Sequence, residues 1–275
     1  TDSAITVALD TSVTATEGTD YTDGSGNIDD ITISAGATTG TVNFTPTDDS
    51  IYDATSNETA TISINGVSGK TGVEENSTPQ TVTITITDNE SAPTVTLATA
   101  STSIDENSGS TITLTATVST ATFQDVTVSI DGTGGTGTEG TDFGTVSDIT
   151  ISAGSTTGTA AVDPTDDSVY EGDETAGISI SGVSGGSATE SGSQSVTVTI
   201  TENESAPTVT LTVSATSIAE NAGSSLTLTA TLSGAVDETV TVGIDTGGTS
   251  TEGTDYTDGS GNVDDITISA GSTTG

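Results

Sequence analysis

The stretch ITDNESAPTVTL, residues 86–97, returns as ITENESAPTVTL at residues 200–211, with a single change from Asp88 to Glu202. In both places it joins two runs in which apolar residues alternate with Thr, and alternation with a period of two is typical of β-strands with one buried face. The repeated stretch therefore predicts a junction between the last strand of one domain and the first strand of the next. The segment between the strands is short and ends in proline, which fixes φ and lacks a backbone donor. We expect a stiff joint, provided that its acidic residues are neutralised.

Further motifs recur at a similar spacing, so the chain consists of copies of one unit. They are TEGTDY (16–21, 251–256, and 138–143 with Phe143 at its end), DDITISAG (29–36, 264–271, and 147–154 with Ser147 at its start) and PTDDSIY (46–52, and 164–170 with Val169). The period of about 113 to 122 residues is the size of a whole domain.

The positions of the motifs predict three repeats. The boundaries are residues 1–90 for the first repeat, 91–204 for the middle repeat and 205–275 for the third repeat. A fourth motif, SIDENSGS (103–110), recurs as SIAENAGS (217–224) and has no copy in the first repeat, whereas the third repeat has no copy of PTDDSIY, so that only the middle repeat contains every motif. We expect the first repeat to lack its opening strand or strands and the third repeat to be truncated on its C-terminal side, as in a window on a longer array.

The pattern along each repeat predicts an all-β fold. About seven short alternating runs, separated by Gly, Asn, Asp and Ser, are typical of a two-sheet sandwich of immunoglobulin-like architecture. We therefore expect tandem seven-stranded antiparallel β-sandwiches arranged end to end. Disorder is the alternative that low hydrophobicity and high net charge suggest, but the regular alternation argues against it. Aromatic residues at two repeated positions are expected to fill the cores: Tyr21, Phe143 and Tyr256 at one, and Tyr52 and Tyr170 at the other.

The charge of the chain limits its function. Forty Asp and Glu residues face one basic residue, Lys70, and the net charge is −39. This excludes nucleic acid as a partner, because binding to phosphates needs Lys and Arg, and it argues against docking on anionic lipid. The chain has no His and no Cys, so the usual nucleophiles and bases of enzymes are missing, and we do not expect an enzyme.

The acidic residues are grouped at predicted strand ends, in the same places in each repeat. In the middle repeat they fall in SIDEN (103–107), TEGTD (138–142), DDSVYEGDE (166–174) and ITENE (200–204). Strand ends on one rim of a sandwich would bring these carboxylates together, where they would repel one another. The chain holds almost no cation to pair them, so a bound metal ion is the simplest remedy, and ligation by oxygen alone favours Ca²⁺. A solvated acidic surface is the alternative.

The order of these motifs resembles the Calx-β domain, which is known from sodium–calcium exchangers, an integrin chain and many bacterial surface proteins. In the calcium-binding members of that family, the ligands come from these same motifs. The resemblance therefore implies Ca²⁺ ligands in the middle repeat at Glu106, Asp142, Asp166, Asp167, Glu171, Glu174, Glu202 and Glu204. It implies partial sets at Asp20, Asp48, Asp49, Asp53, Glu58, Asp88 and Glu90 in the first repeat, and at Glu220 and Asp255 in the third.

Two departures from the family pattern affect the expected number of ions. Each repeat of the family closes with a triplet of acids that is usually all Asp. Here this closing triplet is DNE at residues 88–90 and ENE at residues 202–204, so Asn89 and Asn203 stand at its centre. The loop DDSIYDATSNET of the first repeat is two residues longer than DDSVYEGDET of the middle repeat, and Asp53 replaces the longer Glu171. We expect the first repeat to bind fewer ions.

These features together predict a structural segment of an extracellular cell-surface protein, a calcium-stiffened stalk or fibre of an adhesin or filament that serves cell adhesion or biofilm formation. Its partners would be the neighbouring repeats of the same chain and, in a fibre, other copies. One alternative is a filament subunit that assembles by strand complementation. A glycan- or protein-binding module and a regulatory calcium sensor are two others, although the short loops and few aromatics count against the former.

Overall fold

The protein is built from β-strands, as seen in a computed structural model that describes residues 1–12, 14–53, 58–76, 80–261 and 263–275. Within these ranges the one helical element is a 3₁₀ turn at Glu106–Ser108. None of the described residues form a helix with the length and apolar character needed to span a lipid bilayer.

The strands follow the repeats. Those of the first repeat are β1 (Ile5–Ser12), β2 (Tyr21–Thr22), β3 (Ile31–Ile33), β4 (Thr45–Pro46), β5 (Ile51–Tyr52), β6 (Glu58–Ser68) and β7 (Thr81–Ile86). Those of the middle repeat are β8 (Thr94–Thr99), β9 (Ser103–Asp105), β10 (Ile112–Val118), β11 (Ala121–Thr122), β12 (Val126–Gly135), β13 (Ile149–Ile151), β14 (Thr157–Val162), β15 (Val169–Tyr170), β16 (Glu174–Ser184), β17 (Thr189–Glu190) and β18 (Ser195–Thr201). Those of the third repeat are β19 (Val209–Val213), β20 (Leu228–Leu232), β21 (Ala235–Val236), β22 (Val240–Val242) and β23 (Ile266–Ile268).

The middle repeat is a sandwich of two sheets, which confirms the predicted fold class. One sheet has the strand order β14-β10-β8-β17 and the other has the order β13-β12-β16-β18-β9. Six of these strands are long, and β13 is a seventh, shorter one; β9 and β17 are small additions at the sheet edges. The long strands pair with antiparallel neighbours, whereas β9 and β17 pair in parallel with β18 and β8.

The apolar residues that alternate along these strands form the core between the two sheets. In β10, for example, Ile112 and Leu114 are buried and the intervening Thr113 is exposed. Phe143 is fully buried in the same core, and Tyr21 is buried in the first repeat, where its ring stacks on Phe44 at 4.6 Å. The core role predicted for these two aromatic residues is therefore confirmed.

The opening strand of the middle repeat changes sheets along its length. Its first part, β8, pairs with β10, whereas its second part, β9, pairs in parallel with β18 of the other sheet, with Ile104 opposite Ile200 and Asp105 opposite Thr201. The 3₁₀ turn follows β9 directly and ends at Gly109, which has φ of 61°. This change of sheet carries Glu106 to the end of β18, where the closing acidic triplet begins.

Strand pairing also joins consecutive repeats. Strand β5 of the first repeat pairs in parallel with β11 of the middle repeat, and β15 of the middle repeat pairs in the same way with β21 of the third. Tyr170 lies in β15 and packs against the buried cluster of the third repeat that includes Leu232 and Ile268. The prediction that Tyr170 fills the core of its own repeat was wrong, because the short strand that carries it crosses to the next repeat.

The buried core predicts a large difference between two identical substitutions. Phe143→Ala removes a fully buried ring and should destabilise the middle repeat by about 3–5 kcal/mol. Phe123→Ala is the matched control, because the Phe123 side chain is 66% exposed, and it should cost less than about 1 kcal/mol. Hydrogen–deuterium exchange of β10 and β12 in the full chain measures the free energy of opening; equal effects of the two variants would contradict the core assignment.

Candidate metal centre

The structure brings six of the predicted ligands of the middle repeat into two groups. Each residue of a group offers a carboxylate oxygen within 4.8 Å of those of the other two. The first group, called here the triplet cluster, is Glu106, Glu202 and Glu204. The second, called here the loop cluster, is Asp142, Glu171 and Glu174.

The triplet cluster follows from the pairing of β9 with β18. Asp105 lies opposite Thr201, and the hydroxyl of Thr201 donates to the Asp105 carboxylate at 2.5 Å. The residues that come next on the two strands, Glu106 and Glu202, are therefore neighbours. Since β9 and β18 run in the same direction, acids at both of their C-terminal ends lie on one rim of the sandwich.

The loop cluster depends on a hydrogen-bonded turn in TEGTD. The Asp142 carboxylate accepts from the backbone N–H of Thr138 at 2.5 Å, and the Asp142 carbonyl accepts from Thr165 N–H at 2.9 Å. The second bond holds the turn against the loop that carries the DD pair. Glu139 of the same turn accepts from Val146 N–H at 2.7 Å, so this acid stabilises the loop and lies outside both clusters.

Glu202 links the two clusters through backbone N–H groups. One of its oxygens accepts from Glu171 N–H at 2.6 Å and Gly172 N–H at 2.9 Å, and the other accepts from Glu204 N–H at 2.9 Å. Gly172 has φ of 81°, a conformation that favours glycine, which allows two successive N–H groups to face one carboxylate. Burial raises the pKa of Glu202, but these hydrogen bonds more than offset it and hold the pKa at about 2.

Three other carboxyls of the two clusters have a pKa well above the ordinary value for Glu. Burial raises the pKa of Glu106 to about 8, and the adjoining carboxyls of Glu204 and Glu202 add to the effect. Burial likewise raises the pKa of Glu171 and of Glu174 to about 7, followed by repulsion from Asp142. In the metal-free protein these groups are therefore held in a site that disfavours their charge.

The oxygen atoms of the triplet cluster fit a bound metal ion. Glu106 Oε1 and Glu204 Oε2 are buried, and no hydrogen-bond donor among the described residues reaches them. Buried polar atoms in native proteins normally have a partner, and carboxylate oxygens are the ligands that Ca²⁺ prefers. The donor set is all oxygen, which fits Ca²⁺ better than Zn²⁺ or copper.

Asp166 and Asp167 lie beside the clusters rather than in them. One oxygen of Asp166 accepts from the Asn203 side-chain amide at 2.7 Å, and one oxygen of Asp167 accepts from Val169 N–H at 2.7 Å. Asn203 is the residue that departs from the family pattern, and its amide donor ties the closing triplet to the DD loop. In the first repeat Asn89 makes the same bond to Asp48 at 3.0 Å.

Six of the seven predicted ligands of the first repeat, all except Asp48, line one cavity of about 280 Å³. Its lining includes Asp20, Asp49, Asp53, Glu58, Asp88 and Glu90. Burial raises the pKa of Glu58, followed by repulsion from Asp20, Asp53 and Asp49. Among the described residues, these acids form no three-carboxylate group as tight as the two of the middle repeat. The longer loop between Asp53 and Glu58 (residues 54–57) lies outside the described ranges.

The two predicted ligands of the third repeat are not brought together with other acids in the part of the chain that is described. Glu220 is exposed, and the exposed Asp255 accepts from Thr251 N–H at 2.7 Å, as its equivalent does in the other repeats. The structure adds one residue that the sequence motifs do not contain. Asp237 of the third repeat lies close enough to contribute to the raised pKa of Glu171 and of Glu174.

The fold and the acidic rim define a tandem β-sandwich protein with carboxylate clusters. The sequence model of the Calx-beta domain matches residues 1–90, 88–204 and 202–264. The chain therefore belongs to the Calx-beta domain family, as the motifs predicted.

Solved structures with a similar fold include two Calx proteins and a bacterial protein. The crystal structure of the apo-form Calx CBD1 domain is 21% identical, with a TM-score of 0.35, over 40% of this chain and 99% of that one. The crystal structure of CBD12 from CALX1.2 is 16% identical, with a TM-score of 0.33, and the match covers 72% of this chain and 88% of that one. The crystal structure of invasin, a bacterial integrin-binding protein, is 17% identical, with a TM-score of 0.34, and the match covers 84% of this chain and 39% of that one. Comparison with curated protein sequences gave no match.

The raised pKa values predict an unusual pH dependence of stability in the presence of chelator. The folded-state pKa of Glu106 is about 8 and those of Glu171 and Glu174 are about 7, above the ordinary value of 4.5 for a Glu side chain. The folded state therefore binds more protons between about pH 5 and pH 8, and stability falls as the pH rises through this window. Glu202, with a pKa of about 2, stays ionised there and adds no slope.

Thermal unfolding of the full chain across this pH range measures the effect. The triple variant E106Q/E171Q/E174Q should flatten the dependence. The control E74Q/E238Q/D245N removes three charges at exposed positions and should leave the dependence in place. A wild-type chain that gains stability from pH 5 to pH 8 in chelator would contradict the assignment.

Proposed function

We propose that this chain is a stretch of an extracellular, calcium-stiffened stalk or fibre, belonging to a cell-surface adhesin or filament and built from repeats with boundaries at residues 1–90, 91–204 and 205–275. One observation carries the proposal. Glu171 of the loop cluster directly follows Tyr170, which pairs with Val236 of the next repeat. The acidic rim and the contact between repeats are therefore parts of one structure, and a cation at the rim acts on the joint.

The residues of the two clusters would hold the ion. Bound Ca²⁺ supplies positive charge and accepts coordination from carboxylate oxygens. Glu106 and Glu204 contribute their unpartnered oxygens, and Glu202 fixes the geometry through its backbone hydrogen bonds. Binding to the folded state alone adds about 2.7 kcal/mol per site at a hundredfold excess of ion over Kd. Calcium thus stabilises the repeat that binds it and limits the angles that the joint adopts.

An extracellular setting suits this role. Extracellular modules bind Ca²⁺ with Kd values of roughly 10⁻⁴ to 10⁻³ M, so sites of modest affinity are filled there. The clusters of this chain are partly exposed, as expected for modest affinity. The function is mechanical: neighbouring repeats of the same chain are the partners, and the molecule extends from the surface.

Small-angle scattering of the full chain tests the stiffening. With Ca²⁺ the maximum dimension should increase and interdomain flexibility should decrease, relative to chelator, because neutralised clusters hold the repeats in line. The variant E106Q/E202Q/E204Q should weaken the response, whereas the control E74Q/E238Q/D245N should keep it. Identical curves for the wild type, with no bound metal in native mass spectrometry, would leave the acids as a solvated surface and overturn the proposal.

A second candidate, self-assembly by strand complementation, is favoured by exposed apolar faces. In the middle repeat, β8 and β10 cover the sheet that holds β12, β16 and β18. The corresponding sheet of the first repeat, β3-β1-β6-β7, carries an apolar groove of about 370 Å³, and Val82 in it is 63% exposed. The ribbon β19–β20 of the third repeat repeats the sequence pattern of β8 and β10, and its Leu211 is 51% exposed. The β19–β20 ribbon of one copy can therefore pack its apolar face against the apolar groove of another copy.

This candidate predicts that the chain associates as its concentration rises. Sedimentation equilibrium in about 0.15 M salt, which screens the net charge, should show assemblies with a molar mass of two or more copies of the protein. V209D/L211D places charges on the apolar face of β19 and should abolish association. The control T208D/T210D places the same charges on the opposite face and should have a smaller effect. A monomer at all concentrations would rule this candidate out.

A further inference from the structure

The two joints between repeats share one geometry but differ in one side chain. At the second joint Tyr170 lies opposite Val236, so the next residues along the two parallel strands are Glu171 and Asp237. At the first joint Tyr52 lies opposite Thr122, and Phe123 N–H donates to the Tyr52 carbonyl at 3.1 Å. The residue equivalent to Asp237 is therefore Phe123. One joint places a carboxylate from the following repeat at the acidic rim, and the other places an aromatic ring there.

The register of β15 and β21 places the exposed Asp237 beside Glu171 of the loop cluster. Burial and Asp142 of the same repeat are the larger causes of the raised pKa of Glu171 and of Glu174, and Asp237 adds to both. Placing a further negative charge beside acids of the same sign is unfavourable unless a cation is shared between them. The chain offers one base, Lys70, and it pairs with Asp2.

Among the described residues, no acid of the middle repeat lines the cavity at the first joint. The acids that raise the pKa of Glu58, after burial, are Asp20, Asp53 and Asp49, which all belong to the first repeat. Phe123 lines the cavity that these acids surround, although its ring is 66% exposed. A cation in this cavity finds carboxylates from one repeat only.

We propose that Asp237 supplies a carboxylate from the third repeat to a cation held by the loop cluster of the middle repeat, so that the ion directly links the two repeats at this joint. The inference rests on the proposed calcium binding and extends it to a residue outside the family motifs. At the first joint Phe123 takes this position, and the ion there belongs to the first repeat alone. Calcium therefore restrains the second joint more strongly than the first.

The test measures calcium affinity and the mobility of each joint separately, on the full chain. The chain has no cysteine, so pairs of cysteines introduced at exposed positions carry spin labels cleanly. Thr39→Cys with Ser110→Cys reports on the first joint, and Ser110→Cys with Ser224→Cys reports on the second. Pulsed electron paramagnetic resonance measures the distribution of distances between the two labels, and comparison of Ca²⁺ with chelator shows how far the ion narrows that distribution at each joint. Isothermal titration calorimetry gives the affinities for Ca²⁺.

In the wild type, Ca²⁺ should narrow the distribution at the second joint more than at the first. D237N should remove most of that extra narrowing. It should also lower the Ca²⁺ affinity of one class of sites by roughly tenfold, because the site loses one charged ligand. E238Q removes the same charge one residue further along and should leave both readouts unchanged. F123D should make the first joint behave like the second, with tighter binding and a narrower distribution.

The outcomes separate this inference from the function on which it rests. Calcium binding with narrowing that D237N leaves intact would overturn the role of Asp237 and leave the stiffened stalk in place. Equal losses in D237N and E238Q would show an effect of net charge alone and would also overturn it. A wild-type chain that binds no calcium would overturn both.

Discussion

Repulsion among carboxylates at one rim of the middle repeat is the constraint on which the rest of the structure depends. Two groups of three acids lie with oxygens within 4.8 Å of one another, in a chain with a single basic residue. Backbone N–H groups offset part of this repulsion, and Glu202 accepts hydrogen bonds from three of them. Glu106, Glu171 and Glu174 are left with a raised pKa because burial disfavours their charge. The proposed dication would remove this cost and would couple folding to ion binding.

The fold explains why the acids meet at this rim. The opening strand leaves one sheet after β8 and joins the other as β9, which runs parallel to β18. Both strands therefore end on the same side, and the acids that follow them become neighbours. The turn that holds Asp142 is tied to the DD loop by the bond between Thr165 N–H and the Asp142 carbonyl. Strand pairing and hydrogen bonds within the turn therefore bring the acids to this rim.

The same rim forms the contact with the next repeat, and this makes the joints chemically distinct. A short strand crosses from each repeat to pair with the one that follows, and Tyr170 buries its ring against the third repeat rather than its own. In the following repeat, the residue directly after the paired strand is Phe123 at the first joint and Asp237 at the second. If calcium binds as proposed, this one position would give an array of nearly identical repeats joints of different stiffness.

The sequence by itself determined the all-β fold, the repeat unit and the identity of most acids at the rim. Alternation with a period of two is local, and motifs that return at a fixed spacing need no structure to be seen. The sequence did not distinguish Asp142, which joins a cluster, from Asp166, which instead accepts a bond from Asn203, since both are acids in loops. Nor did it reveal Asp237 or the crossing of Tyr170. Those contacts join residues about 65 positions apart in different repeats, and only the parallel pairing of β15 with β21 brings them together.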